Sequence, residues 1–137
     1  MKYLVLAYGS EEDWLALSER EREACLAQDA VLRARGDLVA ALDGPTTVRA
    51  PEGTVVTLHA RFAASDRPMV GFGLIEADDL EHAVRLVQDT PCVCAKGAVE
   101  LWPVRDLGEN TVEAVDASFT APAPVASLAT SAQSPQQ

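Results

Sequence analysis

Met69-Val70-Gly71-Phe72-Gly73-Leu74-Ile75 runs through Glu76-Ala77 into Asp78-Asp79-Leu80-Glu81-His82-Ala83-Val84-Arg85-Leu86-Val87-Gln88. The first segment is short, apolar and bounded by polar residues, so it reads as a strand. In the last, Leu80, Ala83, Val84 and Val87 share one face of a 3.6-residue period, and Asp78, Glu81, His82 and Arg85 share the other. Asp78-Asp79-Leu80-Glu81 reads as a capping box opening a helix to about Gln88. His82 is expected in solvent. Toward the N-terminus, residues 63–68 form a polar turn. Thr54–Ala60 is a β-branched strand behind Gly53, Asp43-Gly44-Pro45 a turn, and Asp37–Leu42 a short strand. Ser18-Glu19-Arg20-Glu21 is another capping box; its helix runs to about Arg35, with Gly36 as the left-handed stop. Residues 2–8 read as a buried strand and Ala98–Val104 as the last one. Strands and helices interleave while tight turns join the middle strands. The expected class is α+β, most simply a ferredoxin-like plait with two helices on one face of an antiparallel sheet. An apolar second face would need cover, and in a chain this short the expected cover is a second copy, a homodimer.

Composition bounds the rest. The 137 residues allow one domain with some to spare, and 48% hydrophobic with 23% charged residues excludes wholesale disorder. No apolar run approaches the ~20 residues of a membrane helix. Met1–Gly9 is too short for a signal peptide's apolar core and cleavage site, so a cytoplasmic location is expected. A net charge of −10 argues against nucleic acid and against an anionic membrane surface as partners. Cys25, Cys92 and Cys94 are an odd set, which fits a reducing compartment better than a disulfide scaffold. From Ala117 to Gln137 no residue is charged, and the stretch is Ala, Ser, Thr, Pro and Gln with few large apolar side chains. Such a segment buries too little to offset its ordering entropy. The domain is therefore placed at residues 1–105, and residues 106–137 are expected to be a flexible tail.

Several short motifs then fall in a familiar order. Met1-Lys2-Tyr3-Leu4-Val5-Leu6-Ala7-Tyr8-Gly9, Trp14 and Leu17-Ser18 precede the first long helix. Phe62-Ala63, Gly71-Phe72, Leu74-Ile75, Asp78-Asp79-Leu80 and Ala83 follow without a gap, and Val99-Glu100-Leu101-Trp102-Pro103-Val104 closes the pattern. Over residues 1–105 the chain resembles the YCII-related proteins of the DGPF type. The resemblance implies a dimeric α+β barrel, two plaits packed sheet to sheet. It also exposes departures. His59-Ala60-Arg61-Phe62 stands where the family has Asp-Gly-Pro-Phe, and the Asp43-Gly44-Pro45 present here lies in an earlier turn. Relatives carry a proposed dyad, a His on the first helix and an Asp before the last strand. The first position maps onto Cys25, the second onto Asp89 with one residue inserted before Pro91.

Alternation along the Thr54–Ala60 run puts Val55, Thr57, His59 and Arg61 on one face, and Val56, Leu58, Ala60 and Phe62 on the other. The apolar set is expected under the helices and the polar set inside the barrel. There His59 would be the acid/base, Arg61 the anion holder and Asp89 the orienter. A fully active His59→Ala variant would move the search to Cys25, Asp29 and the cysteines near the last strand, and a His59 facing solvent away from any cavity would retire the assignment. Cys25 is read as a buried small hydrophobe, one face with Leu32, with Asp29 one turn on. Tyr3, Cys25, Met69, Phe72 and Trp102 are the expected walls of a substrate pocket. Cys92-Val93-Cys94 lacks the second pair of a structural zinc site. No phosphate loop, nucleophile elbow or zinc-protease motif occurs, so no metal or cofactor is expected. The leading reading is cofactor-independent acid–base chemistry on a small organic ligand, of isomerase, dehydratase or cyclase type. The alternatives are a non-catalytic ligand-binding or regulatory domain, since some relatives are encoded beside sigma factors, and a cofactor-free oxygenase.

Overall fold

Ser18 starts the long helix as its neighbours require. Its hydroxyl accepts from the Glu21 amide at 3.0 Å, and the Glu21 carboxylate accepts from the Ser18 amide at 2.8 Å. The computed structural model describes residues 1–105. Its elements are β1 (Lys2–Tyr8), α1 (Glu11–Leu15), α2 (Glu19–Ala34), β2 (Leu38–Ala41), β3 (Thr47–Arg49), β4 (Val56–Leu58), β5 (Met69–Glu76), α3 (Leu80–Val87), α4 (Pro91–Cys94) and β6 (Ala98–Pro103). Gly36, at φ 98°, closes α2 in the left-handed conformation that a side chain disfavours. The tail expected over residues 106–137 lies outside the described residues. Among the described residues no helix is long and apolar enough to cross a membrane.

The main sheet is antiparallel throughout, in the order β2-β5-β1-β6. This is the ferredoxin-like order, in which β5 lies between β1 and β2. Register pairs Tyr3 with Ile75, Val5 with Gly73 and Ala7 with Gly71. Directly opposed residues point to one face, so these six share the side on which the core forms. Tyr3, Val5, Ile75 and Ala77 pack there with Ala83 and Val87 of α3. The other side carries Leu4, Leu6, Phe72 and Leu74, only half-buried, with Leu38 49% and Trp102 53% exposed.

Three sequence expectations need correction. The strand at Thr54–Ala60 shortens to β4 and does not enter the main sheet; it pairs with β3 in a separate two-stranded ribbon. The alternation was real, but a strand can satisfy its backbone against any neighbour, and here that neighbour is the unforeseen β3. The expected burial of Val56, Leu58 and Phe62 beneath the helices fails with it: all three are exposed. The cap of α3 sits one residue later than read, and it is not a capping box with Glu81. Asp79 is the N-cap and accepts from the His82 amide at 2.8 Å, while His82 Nδ1 accepts from the Asp78 amide at 2.9 Å. His82 is therefore a half-buried capping side chain and not a freely solvated one. Finally, α1 and α4 were not foreseen. Ser10 caps α1 by accepting from the Asp13 amide at 3.1 Å, and Pro91 opens α4, where its missing N–H costs nothing.

Candidate active site

Small residues decide where the domain is hollow. Across from α2 the sheet presents Gly71, paired with Ala7 on one side and Ala41 on the other, and Gly73, paired with Val5 and Val39. A Cβ on Gly73 would come within 2.7 Å of the Leu38 carbonyl oxygen, and one on Gly71 within 3.1 Å of that of Ala40. Close strand approach thus excludes larger residues, and the low floor leaves a cleft of about 510 Å³ between sheet and helices. That size suits a small organic molecule. Val5, Val39 and Ile75 line the sheet side; Leu26 and Leu32 of α2, with Trp14 of α1, line the opposite side.

Polar groups enter this apolar space at few points. Helical spacing puts Asp29 on the inner stripe of α2, between Cys25 and Leu32, so its carboxyl is carried into the cleft. Burial raises the Asp29 pKa, and the Arg33 guanidinium one turn on opposes that shift without cancelling it. Cys92 enters from α4, its thiol raised first by burial and then by the negative charge of Asp29. A carboxyl that gives up its proton less readily than usual, set against apolar walls, is suited to general acid or base work. A thiol whose thiolate is disfavoured is not a ready nucleophile.

A second, smaller groove lies along α2 and is lined by Cys25, Gln28, Asp89 and Cys94. The two positions onto which the relatives' dyad maps therefore meet in one groove, although one now holds a cysteine. Cys25 is only 4% exposed, and burial, followed by the Cys94 thiol and then the charges of Asp89 and Glu21, pushes its thiol up to about 12. Cys94 Sγ donates to the Asp89 backbone oxygen at 3.4 Å.

The structure places the other residues singled out from sequence as follows. His59 and Arg61 are exposed beyond the end of β4 and line neither cavity; His59 Nδ1 lies 3.0 Å from Thr46 Oγ1. They are not brought together with Asp89. Tyr3 is core. Met69 and Trp102 are partly exposed outside both cavities, and Phe72 alone of the expected walls borders the larger cleft, although register places its side chain on the open face of the sheet. Asp29 was named only as a fallback; its signal was the 25–29–32 stripe. Among the described residues no three His, Cys, Asp or Glu side chains gather as a metal site would require.

Residues 1–108 match the family model for the YCII-related domain. The chain belongs to the YCII-related family. The match covers every strand and helix described above and every residue that lines the cleft, and the fold is that of a YCII-related domain. No curated protein matches the chain.

Proposed function

We propose that this YCII-related domain performs cofactor-independent proton-transfer chemistry on a small, mainly apolar organic molecule held in the cleft beneath α2. Asp29 is the acid/base. One observation carries the reading: a carboxyl with a raised pKa lines a mainly apolar cleft of ligand size. Isomerisation, dehydration and cyclisation share the need for such a group, because each moves a proton at carbon or oxygen without an electron acceptor. The apolar walls bind the carbon skeleton, and Arg33, which also borders the cleft, is placed to hold an anionic end of the substrate. The partner in this reading is a second copy, packed on the open sheet face, because Leu4, Leu6, Phe72 and Leu74 gain by leaving water at about 25 cal/mol per Å².

The test is exchange of carbon-bound hydrogen. A panel of small enolisable carbonyl compounds is incubated with the protein in D2O and followed by proton NMR. The wild type should label at least one compound, and Asp29→Asn should slow that labelling on the order of 10²–10⁴-fold. Labelling that is equally fast in Asp29→Asn would remove Asp29 from the chemistry.

A further inference from the structure

Two exposed faces of the domain carry complementary patterns. In the β3–β4 ribbon, Arg49 is paired with Val56 and Thr47 with Leu58, so Arg49, Val56 and Leu58 share one face. Phe62 joins them, its ring centroid 5.2 Å from the Arg49 guanidinium carbon. Stacking on the ring holds the cation in place among apolar neighbours that are 47% (Val56), 54% (Leu58) and 73% (Phe62) exposed. On the open face of the main sheet the signs are reversed. Glu100 lies opposite Leu6, which lies opposite Phe72 on its other side, so a carboxylate sits at the margin of an apolar surface. The Tyr8 hydroxyl and Trp102 Nε1 both donate to Glu100 Oε1, at 2.9 and 3.0 Å. The carboxylate is thereby fixed in orientation with Oε2 left over. Among the described residues Arg49 has no carboxylate partner and Glu100 no cationic one.

We propose that the ribbon is an exchanged arm: its apolar face docks on the open sheet face of a second copy, and Arg49 pairs there with Glu100. A cation among exposed apolar groups and a fixed anion among exposed apolar groups fit each other, and the same surface cannot satisfy either charge by hydrophobic contact alone. Two copies related by a two-fold axis make the contact twice and close on themselves. The ribbon's separation from the main sheet then has a purpose, since a strand built into that sheet could not reach across. The inference rests on the dimer proposed above and adds to it the segment and the ion pair that set its register.

The test is sedimentation of the full chain with Glu100→Arg, Arg49→Glu and the double reversal. The wild type should be a dimer. Each single reversal should raise the dimer Kd on the order of 10²-fold or more, and the double reversal should recover to within about tenfold of wild type. A monomeric wild type would overturn the dimer itself. A dimeric wild type indifferent to both single reversals, or a double variant no tighter than either single one, would leave the dimer standing and overturn the arm. Should a reversal impair folding, Arg49→Lys with carbodiimide decides independently. It should yield a covalent dimer whose linked peptide joins residue 49 of one copy to Glu100 of the other. A covalent dimer linked elsewhere, or none, refutes the pairing.

Discussion

Gly97 should be irreplaceable, and the reason lies at one end of the cleft. The chain turns there from α4 into β6: Lys96 adopts a positive φ of 64°, and the Gly97 amide donates to the Cys92 carbonyl at 2.8 Å. A Cβ on Gly97 would lie 2.0 Å from the Tyr8 carbonyl oxygen, 2.9 Å from that of Cys92 and 3.1 Å from Gly9 Cα. All three are backbone atoms, so no side chain can rotate away. The Tyr8 oxygen would have to retreat by roughly 1.5 Å to reach ordinary contact. That movement strains the end of the β1–β6 ladder, where Tyr8 pairs with Ala98. Overpacking plus a weakened ladder bond gives about 2–4 kcal/mol of destabilisation. For a domain of this size Gly97→Ala should lower Tm on the order of 10–20 °C by far-UV circular dichroism. Gly44→Ala is the control, because a Cβ there meets nothing within 4 Å, and it should melt within about 2 °C of wild type. Gly9 and Cys92 both line the cleft, so ligand binding should fail together with stability. A Gly97→Ala protein that melts like the control would refute the close approach and with it the described end of the cleft.

Other outcomes follow from the same geometry. Because the folded Asp29 pKa is raised, the native state holds the proton more tightly than the unfolded chain. Its contribution is fully present below the unfolded pKa and is lost as pH rises through the folded one. Asp29→Asn should therefore melt no lower than wild type at neutral pH while losing activity; a clear drop in Tm would show that the carboxylate is stabilised in place. Ser18→Ala removes the capping box of α2 and should cost about 1 kcal/mol by denaturant unfolding. Cys25, buried and with its thiol raised to about 12, should resist thiol reagents in the native protein at pH 8 and react after unfolding, and prompt native labelling would contradict its burial.

The fold was legible wherever a local signal also fixed the tertiary role. Met69–Glu76 passes straight into the α3 period, and Ser18 and Gly36 mark the two ends of α2 by the backbone needs of a helix terminus. The ribbon was not legible in that way. Alternation over Thr54–Ala60 says that a strand forms, but it does not say which strand it joins, and β3 is only three residues long. The error carried into the candidate site, since the inward view of His59 and Arg61 depended on the strand lying in the main sheet. Asp29 was hidden for a different reason. Its place on the inner stripe of α2 could be read, but an Asp on a helix is usually solvated, and the space that receives it is made by Gly71, Gly73 and Ala7 on strands far away in sequence. The approach of Cys25 to Asp89 came from the family resemblance and from no spacing within the chain.

The chemistry proposed for the cleft depends most directly on the proton of Asp29. Its side-chain carboxyl can be followed by carbon-13 NMR as a function of pH, with Asp29→Asn identifying the resonance. The cleft described here predicts a midpoint above the ~3.9 of an unperturbed aspartate. A midpoint at or below that value would mean that Asp29 is solvated or held as a carboxylate by Arg33, and it would contradict the proposal that this group is poised to give and take a proton.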